Sequence, residues 1–206
     1  LGFILRARYC YLILLLISIS SGQKNGNQNM NDKNFENAIL GGGCFWCVEA
    51  VFERIDGVSE VISGYAGGHT KNPTYQEVIT GRTGHAEVCK IIFDPKKVTY
   101  DEILDIFWQA HDPTTLNRQG NDVGTQYRSA IYYIDEQQKS SANKAMKKAS
   151  QLYDDPITTE VKKLENFYVA EGYHQDYYEN NPNAPYCAFV IAPKIKKLGK
   201  KGLWDD

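Results

Sequence analysis

Gly41-Gly42-Gly43-Cys44-Phe45-Trp46-Cys47-Val48-Glu49-Ala50 follows directly on a short apolar segment, Ala38-Ile39-Leu40, and opens into apolar residues at helical spacing, Phe45, Val48, Val51 and Phe52. The glycine run therefore delivers a cysteine to the start of a helix. A thiol placed there meets unpaired backbone N–H groups and the positive end of the helix dipole, which can lower a cysteine pKa from about 8.5 to between about 3.5 and 7.5. Cys44 is expected to be an activated nucleophile. Cys47, three residues on, shares its helix face and can reach it to form a disulfide once Cys44 is oxidised. The rings of Phe45 and Trp46 between them suggest a pocket for something small and apolar. The competing reading makes both cysteines structural and both rings core. Three glycines are a poor lead-in to a merely structural helix, which favours chemistry.

The chain has 206 residues, 42% hydrophobic and 23% charged, which is enough for one globular domain with a proper core. Arg6 and Arg8 precede an apolar run from Tyr9 to Ile19, and Ser20, Ser21 and Gly22 follow it. That order of basic, apolar and small residues reads as a secretory signal over 1–22, too short for a confident membrane span. Residues 23–34 are rich in Asn, Gln, Gly and Lys and read as a polar linker, leaving 35–206 as the catalytic domain. Export to the periplasm or beyond is expected; translation from Met30 would instead give a cytoplasmic protein. Residues 1–30 hold three basic and no acidic side chains, so the remainder carries 20 Lys and Arg against 25 Asp and Glu, and no basic patch invites nucleic acid.

Cleavage of the leader would remove Cys10 and leave Cys44, Cys47, Cys89 and Cys187. A domain of this size needs no disulfide staples, so the Cys-x-x-Cys suits redox chemistry better. Zinc would need a second ligand pair, and His69, His85, His111 and His174 are scattered. No phosphate-cradling Gly-x-Gly-x-x-Gly opens a helix either. Neither a metal nor an organic cofactor is implied.

The first helix should stop near Asp56-Gly57, followed by a strand over Val58 to Tyr65 and a loop over 66–74 that delivers Tyr75. In the strand Ala86 to Phe93, period two puts Glu87 on one face with Cys89, Ile91 and Phe93, opposite Val88, Lys90 and Ile92. A carboxyl among apolar neighbours holds its proton toward neutral pH and can act as a general acid; a strand-end glutamate reaching solvent would not. Thr99 and Glu102 form a capping box before a helix with a buried stripe. Residues 112–127 lack periodicity, as a functional or a disordered loop would. A strand over 128–134, a helix over 135–153, a strand over 157–161 and a helix over 167–179 follow, and the lysines from Lys194 read as a solvated end. The mixture predicts an α+β domain of two layers.

Gly43-Cys44-Phe45-Trp46 resembles the signature of the peptide methionine sulfoxide reductase A family, which reduces the S epimer of methionine sulfoxide. Gly64-Tyr65-Ala66-Gly67-Gly68, Asn72-Pro73-Thr74-Tyr75, Thr83-Gly84-His85-Ala86-Glu87 and the run from Gly120 to Ser129 resemble that family's blocks in its order, so the likeness spans Ala38 to Lys197. The resemblance implies a mixed sheet in a two-layer sandwich with a ferredoxin-like core. It further implies that Cys44, Glu87, Tyr75 and Tyr127 are catalytic, that Phe45, Trp46, Asp122, Tyr177 and Tyr186 bind substrate, and that an external thioredoxin or dithiol recycles the enzyme; nothing in the sequence demands more than a monomer. Many relatives have glycine where this chain has Cys47 and resolve through a cysteine near the C-terminus, where Cys187 falls. Helix geometry favours Cys47 over Cys187 as the resolving thiol. The rival readings are a thioredoxin-like disulfide oxidoreductase and an aromatic-rich binding protein, the second of which leaves the thiol arrangement without a purpose.

Overall fold

The computed structural model describes residues 35–204; the leader, the linker, Cys10 and Met30 lie outside them. The apolar segment ahead of the glycines forms strand β1 (Glu36–Gly42), which pairs antiparallel with β3 (Ala86–Phe93) on one side and β6 (Ser129–Tyr133) on the other. β2 (Val58–Ala66) flanks β3, β8 (Phe167–Val169) flanks β2, and β7 (Glu160–Lys163) pairs parallel with β6. The sheet is thus six-stranded and mixed, in the order β7-β6-β1-β3-β2-β8. β1 and β3 lie at its centre, so the residues at their ends are the most firmly placed in the domain.

Helices cover one face. α1 (Phe45–Phe52), α3 (Tyr100–Ala110) and α4 (Glu136–Ala149) press Phe45, Phe52, Ile103, Leu104, Phe107 and Ala142 into a core with Leu40, Ile91 and Phe93 of the sheet. Each of the large aliphatic and aromatic side chains removed from water contributes about 1.5–3 kcal/mol before the cost of ordering it is subtracted. The opposite face holds a smaller cluster, Ile39, Val88, Ala130 and Tyr132, with Leu164 and Phe167 packed on it.

The α+β two-layer reading holds, as do the faces of β3: Glu87, Cys89, Ile91 and Phe93 are buried while Lys90 and Ile92 are partly exposed. The Thr99 capping box forms, its Oγ1 accepting from Glu102 N–H. Four expectations need correction. α1 ends at Phe52, and turns carry the chain to Gly57 at φ 97°, so glycine takes its left-handed conformation one turn beyond the helix. Tyr75 does not sit in a loop; it opens the one-turn helix α2 (Tyr75–Val78), capped by Thr74. The span 167–179 is not one helix. Phe167–Val169 is drawn off as an edge strand by pairing with β2, Gly172–His174 makes a 3-10 turn, and left-handed Asp176 at φ 50° leads into the short α5 (Tyr177–Asn180). The lysine-rich end is helical, α6 (Ala192–Gly199), and is anchored by buried Leu198 with Leu203 and Trp204 packed on the main core. Among the shorter elements, β4 (Arg118–Gln119) and β5 (Asp122–Val123) make a hairpin within the aperiodic stretch.

The β2–β8 pairing depends on a missing side chain. A Cβ at Gly64 would lie 2.5 Å from the Phe167 ring and 2.5 Å from the Tyr168 carbonyl oxygen. Gly64→Ala should therefore cost about 1–3 kcal/mol through overpacking against backbone that cannot retreat. The change is read as a lower denaturant midpoint with an unchanged slope.

Candidate active site

The glycines fit their neighbours closely. Gly43 has φ 97°, and a Cβ there would lie 2.6 Å from Gln119 Cγ, so only glycine allows the chain to turn from β1 into α1 beneath the β4–β5 hairpin. Cys44 then occupies the N-cap of α1 and uses no side-chain atom to cap it. The first N–H of the helix, at Phe45, instead donates to Glu87 Oε2 at 3.1 Å, across to β3. This bond fixes the carboxyl of Glu87 beside the thiol of Cys44.

Burial governs the chemistry of both groups. Desolvation raises Glu87 to about 8, the charge of Asp122 adds to the rise, and the Phe45 N–H opposes it, so Glu87 is a protonated acid at neutral pH. Cys44 was expected below the usual thiol range; its pKa is instead raised well above it. Burial comes first among the causes, followed by the hydrogen bond shared with Cys47 and the negative charge that Glu87 can carry. One N-cap position does not outweigh 7% exposure in an apolar setting. Cys47 moves the other way, to about 7, through the hydrogen bond from Cys44, with help from Lys194 and from Tyr186. The two thiols therefore behave as one unit that shares its protons.

Around this unit the structure brings together the side chains the sequence nominated, with Cys187 against Cys47 rather than against Cys44. Tyr186 Oη lies 3.6 Å from Cys47 Sγ and donates to Asp122 Oδ2 at 2.6 Å. Tyr75 and Tyr127 stay protonated; burial raises Tyr75 to about 12 and pushes Tyr127 up as well, with Glu87 next among the causes for both. Among the described residues neither hydroxyl has a hydrogen-bond partner, so both remain available to an incoming oxygen. The Phe45 ring is buried, 4.9 Å from the His174 ring and 6.5 Å from Tyr75, while Trp46 stacks on Tyr177 at 3.6 Å with 7° between the planes. Cys187 packs on Cys47 in a separate apolar cluster, with Ala50 and Ile191, while Cys44 belongs to the main core. Cys89 is a buried thiol that donates to Phe45 O at 3.4 Å. No three His, Cys, Asp or Glu side chains converge as a metal site would require, among the described residues.

Two supporting acids escaped the sequence reading. Glu49 is fully buried, raised to about 7 by burial, and accepts from Ser63 Oγ at 3.0 Å and from Tyr177 N–H at 3.1 Å, so it holds the ring that stacks on Trp46. A single charge among the eight apolar-rich residues of Phe45–Phe52 was the available signal. Glu171 accepts from Tyr65 Oη and from Tyr75 N–H, both at 2.8 Å, and so seats Tyr75. His174 is 1% exposed, its pKa is lowered by burial, and its ring nitrogens have no partner. It is packing for the aromatic cluster. His111 is buried and hydrogen-bonded, held by Phe107 O and Ser129 Oγ below Gly42.

With the geometry in place, the comparisons point one way. A family model described as peptide methionine sulfoxide reductase matches residues 36–205. The peptide methionine sulfoxide reductase MsrA of Leptospira borgpetersenii is 56% identical over 167 residues, covering 81% of this chain and 95% of that protein. Among solved structures, the methionine sulfoxide reductase A of Corynebacterium diphtheriae is similar with a TM-score of 0.66 at 40% identity, covering 72% of this chain and 76% of that one. Mxr1 from Saccharomyces cerevisiae in its reduced form is similar with a TM-score of 0.71 at 34% identity, covering 74% and 89%.

The protonated state of Glu87 can be observed without any substrate. An infrared difference between the native chain and Glu87→Gln should contain a carboxylic acid carbonyl band at pH 6 that is replaced by a carboxylate band as the pH passes about 8. A carboxylate band already present at pH 6 would remove Glu87 as an acid.

Proposed function

The chain belongs to the peptide methionine sulfoxide reductase A family, and we propose that Cys44, Glu87 and Cys47 carry its reaction. The enzyme reduces methionine sulfoxide to methionine through cysteine chemistry and is recycled by a thioredoxin-type dithiol. The observation that carries the assignment of roles is the Phe45 N–H bond to Glu87, which sets a protonated acid beside the N-cap thiol.

Cys44 Sγ attacks the sulfoxide sulfur while Glu87 gives its proton to the departing oxygen, with Tyr75 and Tyr127 donating hydrogen bonds to it. Protonation of Glu87 serves twice. It supplies the acid, and it removes the negative charge that would otherwise hold Cys44 as a thiol. The thiol proton passes into the pair shared with Cys47, whose lower pKa lets Cys47 part with its own to solvent through Tyr186. The protonated oxygen then moves from the substrate sulfur to Cys44 Sγ: the sulfur–oxygen bond of the substrate and the sulfur–sulfur bond made in the attack both break as the Sγ–oxygen bond forms, leaving Cys44 as a sulfenic acid and releasing methionine. The Cys47 thiol then condenses with the sulfenic acid to give a disulfide and water. Phe45 and Trp46, with Tyr177 stacked behind, supply the apolar wall for the methyl group. A neutral sulfoxide suits the buried setting, where a charged competitor would meet a desolvation cost.

Cys47 is favoured over Cys187 because it lies within one helical turn of Cys44 and the two thiols perturb each other's protonation, whereas Cys187 packs with Cys47, Ala50 and Ile191 in a cluster that does not include Cys44. A thioredoxin-like oxidoreductase would expose its nucleophile; Cys44 is buried. The order of basic, apolar and small residues over 1–22 supports export, and the mature N-terminus read by sequencing after secretion decides it.

With a racemic methionine sulfoxide peptide and excess dithiothreitol, residues 31–206 should consume the S epimer alone, and Cys44→Ser should consume neither. Turnover of insulin disulfides in place of sulfoxides would hand the site to the oxidoreductase reading. Glu87→Gln should slow the chemical step by about 10² to 10⁴. In the native enzyme activity should fall as pH rises past about 8, because the required form of Glu87 is the protonated one, and that limb should vanish in the variant.

A further inference from the structure

The surface over Cys47 takes no part in the reaction described above. Cys187–Ile191 forms a π-helical turn that leads into α6. Its inward residues, Cys187 and Ile191, are fully buried against Cys47 and Ala50. Its outward residues are apolar, with Phe189 81% exposed and Val190 37%. π turns concentrate at functional sites, and a phenylalanine kept in water above a reactive thiol calls for a partner.

Charge on the adjoining helix narrows what that partner is. Lys194, Lys196, Lys197, Lys200 and Lys201 follow one another with no acid among residues 192–201, in a domain where acids outnumber bases. Lys194 lies close enough to Cys47 to lower its pKa, and with Lys197 and Lys201 it edges a groove of about 890 Å³. The negative end of the α6 dipole explains lysines in its last turn. It does not explain Phe189.

We propose that Phe189 and Val190, with the lysines of α6 beside them, form the docking surface for the dithiol reductant, a protein of the thioredoxin kind whose contact face must then offer an apolar patch to Phe189 and an acidic rim to the lysines. The proposal rests on the sulfoxide reductase reading, since only the disulfide left by that reaction needs such a partner. A reductant thiolate attacks Cys47 Sγ, the bond to Cys44 breaks, and Cys44 leaves as a thiolate that takes up a proton. The second reductant thiol attacks the mixed disulfide, releases Cys47, and leaves the reductant as a disulfide, so two electrons pass to the enzyme. Cys47 is 2% exposed, and the turn carrying Phe189 is what covers it. A partner seated on Phe189 thus engages the segment that must shift for attack. Lysines beside an acidic rim would steer the encounter and make it sensitive to salt.

The experiment measures turnover of a methionine sulfoxide peptide with dithiothreitol and, separately, with thioredoxin, its reductase and NADPH. Phe189→Ser, and Lys196→Glu combined with Lys197→Glu, should each lower kcat/KM for thioredoxin by about tenfold while dithiothreitol-driven turnover stays within about twofold. Added salt should lower the native value and have little effect on the charge-reversed variant. Equal losses with both reductants, or no loss with thioredoxin, overturn the assignment. A raised KM for an oxidised protein substrate, with thioredoxin kinetics intact, also overturns it and gives the surface to the substrate. Failure of the native enzyme with dithiothreitol would bring down the sulfoxide reductase reading itself, so the two failures are told apart.

Discussion

A single backbone N–H, that of Phe45, decides the arrangement of this site. At most helix starts a side chain at the N-cap satisfies the first free donors. Here Glu87 reaches over from the centre of the sheet to accept from Phe45, and Cys44 is released from capping duty. The bond ties α1 to β3 and sets an acid beside a nucleophile. It depends on Gly41 to Gly43, because β1 must pass between Glu87, His111 and Gln119 with no side chain in the way.

The balance of protons follows from burial rather than from the helix dipole. Glu87, Glu49 and Glu53 are all raised, to about 8, 7 and 8, chiefly because they are withdrawn from water. A neutral Glu87 costs little to bury and has a proton to give. A charged one would oppose the Cys44 thiolate. The acid and the nucleophile therefore work as a pair, and the thiol needs no permanently low pKa of its own.

Much of this was legible from local pattern. The period of two along the strand Ala86 to Phe93 put Glu87 on the inner face, and Thr99 with Glu102 marked a helix start that forms as expected. The spacing of Cys44 and Cys47 on one helical turn likewise held. The failures share a cause, which is that tertiary pairing overrides short-range signals. Phe167–Val169 was drawn into an edge strand by β2, and Gly172 and Asp176 broke what looked like a continuous helix. Glu49 and Glu171 were missed because each is recognised by a backbone N–H it accepts from a residue far off in sequence, 128 positions away for Glu49 and 96 for Glu171. The Cys44 pKa was misjudged because the dipole can be read from a sequence and the depth of burial cannot.

The central claim is that one helical turn holds both thiols of the reaction, next to the acid. The most direct measurement is to add one equivalent of the S epimer to the fully reduced protein without any reductant, quench with an alkylating agent, and map the cysteines by mass spectrometry. The account predicts a disulfide between Cys44 and Cys47 with Cys89 and Cys187 alkylated, and in Cys47→Ser a sulfenic acid on Cys44. A disulfide joining Cys44 to Cys187 that persists in Cys47→Ser and is lost in Cys187→Ser would contradict it.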